Sequence, residues 1–378
     1  MMLSAALRLV SVLKGLAEDT LTRYLSSLHG AEVKVLSVGE FGKPGEAGKL
    51  DLKGFGYGKP LLVDYEVEGK RFSVVVQTMK PDSFGHEHPG DRAQSLILAY
   101  QTYGRLPRHV KALDVGIFTK SRNMVSLGDF EEFFLVVEKA EGREYFWDLN
   151  RIASEGSLTS LDLERCKALA SYVAGVHKVK HEAPNLYKRR IRELIGHGEC
   201  IMGIIDNYPE KAEFVSRQEL EKFEKLCVGW RWKLRGREHR LSQVHGDFHP
   251  WNILFREGAE FTVLDRSRGE WGEPADDFSC MSVNYIFYAL QASGGWREPF
   301  KTLFEAFVET YLEASGDEEI LRVCQPFYAW RCLVLASPVW YPTLPGKVRR
   351  TIMDFALNML ESEFFDWRNV GQYLKPYG

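Results

Sequence analysis

The stretch VHGDFHPWNILF, Val244 to Phe255, carries His245, Asp247, His249 and Asn252 within eight consecutive positions. His249 and Pro250 suit neither a helix nor a strand, so Asp247 and Asn252 are expected on an irregular loop. A strand pair follows, Asn252 to Phe255 and Glu260 to Leu264, turning at Glu257 and Gly258, and it delivers Asp265 at its far end. Three oxygen-bearing side chains then come from adjacent segments. Phosphoryl transfer needs such a set: one carboxylate to orient and deprotonate an acceptor hydroxyl, and a second carboxylate with an amide oxygen to hold magnesium against phosphates. Magnesium prefers oxygen and usually takes only one or two protein carboxylates. A metallohydrolase is the competing chemistry: His245, Asp247 and His249 alternate, and on extended backbone alternate side chains share a face, as zinc ligands require. It leaves Asn252 and Asp265 without a role.

The N-terminal half offers a complementary feature. LKGFGYGKPLLVDYEV places Gly54, Gly56 and Gly58 at alternate positions just before a strand. Without Cβ atoms, their backbone N–H groups can approach an anion closely. An ordinary glycine hairpin has the same composition, so this segment gains meaning only beside the C-terminal set.

The elements that must position these residues fall into two halves. Strand patterns occupy Leu61 to Val67, Phe72 to Thr78, Val110 to Phe118 and Phe133 to Val137, with one helical stretch at Asp91 to Tyr103 and a tight hairpin turn at Glu68 to Lys70. After Gly142 the pattern turns helical: Leu161 to Val179, Tyr187 to Ile195, Arg217 to Leu234, Asp277 to Gln291, Phe300 to Ala314, Leu321 to Leu335 and Lys347 to Glu361. Leu3, Leu7, Val10, Leu21, Leu25 and Leu28 recur at helical spacing ahead of both halves. The expected organisation is a helical extension over 1–32, a β-rich lobe over 33–138 and an α-rich lobe over 139–378. The aromatic series Tyr285, Phe287, Tyr288, Phe304, Phe307 and Tyr311 reads as core, and the tryptophans of WRWKLRGREHR, Trp230 to Arg240, are expected to pack inward.

Bulk properties exclude several classes. The 378 residues exceed the usual size of one core, and 45% apolar with 27% charged residues describe a soluble globular protein. A net charge of -3 gives no reason to expect nucleic acid. Six scattered cysteines without a CxxC pair read as free thiols of a reducing cytosol, and no stretch approaches the roughly 20 apolar residues of a membrane span. The expectation is a cytoplasmic protein of undetermined oligomeric state, with no membrane or nucleic-acid partner.

HGDxxxxN at His245 to Asn252, a second aspartate at Asp265 and GEPADD at Gly272 to Asp277 resemble the aminoglycoside phosphotransferase and choline kinase family, small-molecule relatives of the protein kinases. The resemblance runs roughly from Val33 to Tyr311. It implies an α+β, bilobal protein-kinase-like fold, with a small antiparallel sheet and one main helix in the first lobe and a larger, mostly helical second lobe. It also implies transfer of the γ-phosphate of ATP to a hydroxyl of a small molecule, with Mg2+ as cofactor. By the same resemblance Asp247 is the catalytic base, Asn252 and Asp265 hold magnesium, and His245 braces the loop. Asp277 is expected as an N-cap that ties back to that loop. FFLVVEKAEG resembles the hinge, so backbone groups of Glu138 and Ala140 are expected to meet the adenine.

One departure stands out. The family signature has a lysine on the third strand paired with a glutamate on the following helix. Here the aligned position is Gln77, and Asp91, Arg92, Ala93 and Gln94 occupy the helix region without a glutamate. Strand alternation sends Lys80 to the face opposite position 77. A pseudokinase-like regulator that binds nucleotide without turnover is therefore the alternative. The acceptor is undetermined: Glu270, Glu273 and Asp276 favour an amine, whereas Arg266 and Arg268 in the same segment oppose one.

Overall fold

The computed structural model describes residues 18–40, 60–266 and 268–378. Chain contacts divide the protein between Val137 and Glu138. Among the described residues, no helix is long and apolar enough to cross a membrane.

The first unit is built on three antiparallel strands in the order β1–β2–β3: Val33–Glu40, Leu61–Val67 and Lys70–Val76. On β2 the alternation of Leu61, Val63, Tyr65 and Val67 puts every second side chain into the core. Glu68 and Gly69, at φ 48° and 76°, form the two-residue turn that fixes the β2–β3 register, Val67 opposite Lys70. Helix α1, Glu18–His29, lays Leu21 and Leu25 on the same core as Val33, Val35 and Val63. The helical segment expected as an extension is thus, over these residues, part of the sheet's own packing; Leu3, Leu7 and Val10 lie outside the described residues. Helix α2, Pro89–Thr102, is the main helix expected after the sheet.

Two sequence expectations are corrected here. Val110 to Phe118 is a strand only at Gly116–Phe118, β4, which pairs with Met124–Ser126, β5. Phe133 to Val137 forms no strand, and Phe134, Leu135 and Val136 are 89%, 87% and 81% exposed. An apolar run becomes a strand only where a neighbour pairs with it, and among the described residues none does.

The second unit is mainly helical. Arg143–Glu144 (β6), Ile253–Phe255 (β8) and Phe261–Val263 (β9) form its small sheet, in the order β6–β8–β9, while Ser242–Gln243 (β7) pairs with Trp271–Gly272 (β10). The helices are Phe146–Glu155 (α3), Ser160–His177 (α4), Pro184–Gly196 (α5), Ile201–Asp206 (α6), Arg217–Leu234 (α7), Ala275–Ser293 (α8), Phe300–Ser315 (α9), Gln325–Ala336 (α10) and Gly346–Glu361 (α11). Ser216 and Glu219 start α7 with a reciprocal capping box. Helix α8 is buried all round from Phe278 to Leu290, which marks it as the axis of the core. Tyr285, Phe287, Tyr288, Phe304, Phe307 and Tyr311 are all buried. Trp230 packs inward, but Trp232 is 60% exposed between Arg231 and Arg235, contrary to the expectation for both. Helical periodicity explains this, because residues two apart face different sides. All six cysteines are buried and unpaired.

Gly142 joins β6 to the preceding segment at φ +139°, and a Cβ there would sit 2.9 Å from both Leu254 Cβ and the Phe255 carbonyl oxygen. All nine tryptophans lie at Trp147 or beyond, so their emission reports this unit. Gly142→Ala is expected to destabilise it by about 1–3 kcal/mol in urea titrations followed by tryptophan emission. Gly156→Ala, where φ is +67° and the space is open, is the comparison and is expected to cost about 1 kcal/mol.

Candidate active site

The loop that carries Asp247 is pinned from beneath. Asp277, fully buried in the first turn of α8, accepts hydrogen bonds from the backbone N–H groups of His245 and Gly246, both at 2.7 Å. Gly246 at φ +88° aims these consecutive amides at one carboxylate, a conformation that side chains rarely adopt. His177, the last residue of α4, completes the brace: its Nε2 lies 3.1 Å from Asp277 and its Nδ1 2.9 Å from the Tyr311 hydroxyl. Burial pushes the Asp277 carboxyl upward, but the hydrogen bond and charge of His177, with His245 and its amide, outweigh burial and hold it below the ordinary carboxylate value. Asp277 is not the N-cap expected from the sequence. Pro274 holds that position, and the Asp277 carboxylate turns away from its own helix to the loop.

His245 is buried, and its Nδ1 accepts from the Asp247 amide at 3.2 Å. Burial holds its imidazole below the ordinary value against the pull of Asp277. Asp247 faces several partners. Arg331 of α10 donates to its Oδ1 at 2.7 Å, and Arg268 Nη1 lies 3.6 Å from the same oxygen. His249 Nε2 stands 3.4 Å from Oδ2. Burial raises the Asp247 carboxyl, but His249, Arg331 and Arg268 together hold it well below the usual carboxylate range. Arg331, itself 6% exposed, also donates to the Gly246 carbonyl at 3.1 Å and to Asp276 at 2.5 Å. Burial still pushes Asp276 up to about 6 against the pull of Arg331.

Asn252 closes a short helical turn over Pro250–Asn252, and its Nδ2 donates to the Asp247 carbonyl at 3.0 Å. This bond turns the amide nitrogen toward the loop and leaves Oδ1 for another partner. The Leu264 amide donates to the Asn252 carbonyl at 2.8 Å, which stitches the end of the hairpin to the loop one residue before Asp265. Asp265 is exposed and holds a left-handed backbone, φ +55°, without being glycine. An amide oxygen just before one strand and an exposed carboxylate just after its neighbour fit a hard, oxygen-seeking ion such as magnesium. They do not fit zinc, and among the described residues no three His, Cys, Asp or Glu side chains gather to hold a metal. The set His245, Asp247 and His249 is therefore not assembled: His245 turns inward to the Asp247 amide while His249 faces the Asp247 carboxylate.

The remaining expected residues are placed as follows. Gly54, Gly56 and Gly58 lie outside the described residues. Gln77 is exposed, one residue past β3. Glu138 is exposed and Ala140 half-buried in irregular backbone leading to β6.

Arg331, Arg268 and His177 were not identified from the sequence. Arg331 had a signal: QPFYAWRCLVLA is apolar apart from that one charge, and a lone charge on a buried helix must find a partner. Arg268 reads from the sequence only as a charge near the acceptor, not as a partner of Asp247, and His177 had no signal.

A β-rich unit followed by a helical one, with an aspartate loop pinned to a buried helix, is the architecture of a protein-kinase-like phosphotransferase. The model of the phosphotransferase enzyme family matches residues 132–326, just over half the chain. The chain belongs to that family, and its fold is α+β and protein-kinase-like. Among solved structures it is similar to an amicoumacin kinase in complex with AMP-PNP (14% identity, 94% of this chain and 98% of that one, TM-score 0.37). It is also similar to a choline kinase from Streptococcus pneumoniae (13%, 91% and 98%, 0.33) and a macrolide 2'-phosphotransferase from Brachybacterium faecium (14%, 90% and 98%, 0.32). No curated protein matches the sequence.

Arg331→Met leaves Asp247 and Asp276 without their shortest cationic partner and is expected to destabilise the second unit by about 3–5 kcal/mol at neutral pH. The Asp247 carboxyl lies lower in the folded than in the unfolded chain, so its stabilisation is complete above about pH 4 and is lost as pH falls through the folded value. Asp276 has the opposite sign, since its raised carboxyl costs stability as pH rises toward about 6. In urea titrations followed by tryptophan emission, the gap between wild type and Arg331→Met is therefore expected to narrow on acidification in two stages, toward about pH 6 as Asp276 takes up its proton and again below about pH 4 as Asp247 does.

Proposed function

We propose that this phosphotransferase moves the γ-phosphate of ATP to a hydroxyl of a small molecule, with Asp247 as the base. The observation that carries this reading is the stitched geometry of the loop and hairpin: Asn252 bonds to Asp247, and Leu264 bonds to Asn252 beside Asp265. Asp247 orients the acceptor hydroxyl and accepts its proton as the oxygen attacks the γ-phosphorus. The bond from that phosphorus to the β,γ-bridging oxygen breaks, and ADP leaves. With Arg331 at 2.7 Å on Oδ1, Oδ2, which has only the longer contacts to His249 at 3.4 Å and Asn252 at 3.5 Å, is the oxygen that meets the hydroxyl. Asn252 Oδ1 and the Asp265 carboxylate are the groups that would hold magnesium. When bound, magnesium supplies positive charge against the phosphate oxygens.

Nucleotide contacts are assigned to Gly54, Gly56 and Gly58 around the phosphates, to Gln77 in place of the strand lysine, and to backbone groups of Glu138 and Ala140 at the adenine. Gln77 also favours a second reading, a pseudokinase-like regulator that binds nucleotide without turning it over, because a neutral side chain supplies no charge to the phosphates.

Magnesium-dependent consumption of ATP with any member of a panel of hydroxylated compounds separates the two readings. Asp247→Ala is expected to lower turnover by about 10²–10⁴ while ATP still raises the melting temperature. Equal phosphorylation by wild type and variant overturns the assignment. Because Asp247 is held ionised below the usual range, the acidic limb of its kcat profile is expected to lie at low pH. Arg331→Met removes a positive charge from Oδ1 and is expected to move that limb upward by about one unit or more.

A further inference from the structure

We propose that the acceptor carries an anionic group, a carboxylate or phosphoryl group, close to the reacting hydroxyl, and that Arg268 is the residue that takes it. This rests on the reading of Asp247 as the base. The buried carboxylates near the loop that would attract an ammonium group, Glu273 and Asp276, are already engaged. Glu273, 2% exposed, is held by Arg240 at 2.8 Å and by the Tyr187 hydroxyl at 2.9 Å. Asp276 is held by Arg331 at 2.5 Å. Glu270 is exposed to water, and it is its backbone carbonyl that binds Val244 and Arg266. Asp265 is assigned to magnesium.

The two guanidinium groups at Asp247 differ in kind. Arg331 is buried and bound to three acceptors at 2.5 to 3.1 Å, so it is a fixed part of the loop. The Arg268 side chain is 27% exposed and loosely held: 3.4 Å to the Gly246 carbonyl, 3.6 Å to Asp247 and 3.7 Å to Glu199, which is itself 68% exposed. Its Nε is buried and makes no hydrogen bond, the Glu199 carboxylate standing 3.7 Å away. An incoming anion can claim these donors without breaking a short bond. Both guanidinium carbons lie against the Trp330 ring, 4.5 Å for Arg268 and 3.8 Å for Arg331. Stacking of this kind keeps the planar group flat and its edge N–H groups in the fork that carboxylate and phosphate accept. An ammonium group in the same place meets two positive charges, and the buried carboxylates beside it, Glu273 and Asp276, are already paired.

The test is transfer from ATP with magnesium to glycerate, gluconate and ribose 5-phosphate, set against ethanolamine, choline and kanamycin, with glycerol and ribose as neutral acceptors. The expected result is that kcat/KM is highest for an anionic member. Arg268→Gln should raise its KM by about 10- to 100-fold with kcat less affected, and Arg268→Lys should restore part of the affinity. Arg268→Glu should shift the preference toward amines. Carboxylate and phosphate acceptors appear as separate arms, so the favoured oxyanion is read directly. Preference for an amine or neutral acceptor, or an unchanged KM in Arg268→Gln, overturns the proposal and leaves Asp247 as base intact. Absence of transfer to every acceptor overturns both.

Discussion

One buried carboxylate organises the second unit's chemistry. Asp277 costs desolvation energy at the heart of the helical core, and it is tolerated because two backbone amides and an imidazole satisfy it. In return the loop from His245 to Asn252 is fixed to α8, the most deeply buried helix, rather than left to its own irregular backbone. The position of the Asp247 loop is set from the core, through a hydrogen-bonded chain of Tyr311, His177 and Asp277.

The same economy governs charge. Asp247, Asp276, Arg331 and Arg268 form a set of two anions and two cations within a few ångströms, so the loop stays near neutrality although each group is partly or wholly withdrawn from water. Glu273 and Arg240 repeat the device one turn away, with Asp317 joining at 2.7 Å. Such pairs add little net stability over apolar packing, but they hold directional groups in register.

How much of this was legible depends on the range over which each feature is specified. Leu61–Val67 and Arg217–Leu234 were read with the bounds the structure has, because alternation and a capping serine are local signals. Phe133 to Val137 looked the same as a strand and is not one, since pairing depends on a neighbour that the segment does not encode. Helix α3 was missed because only Leu149 and Ile152 of its residues are buried, too few to print a period. At the site, Asp247, Asn252 and Asp265 were visible as a compact motif. Arg331 was legible only as a lone charge on an apolar helix; its contact with Asp247 spans 84 positions, so no local pattern names the partner.

That span has a consequence for how the loop comes together. The groups that hold its amides, Asp277 with His177 behind it, precede Arg331 in the chain. A ribosome emitting this protein releases the acidic groups first and their principal counter-charge some fifty residues later, so the Asp247 and Asp276 carboxylates lack their shortest cationic partner until α10 emerges. A fragment stopping at residue 326, where the family match ends, would strand Asp247 and Asp276 together without Arg331.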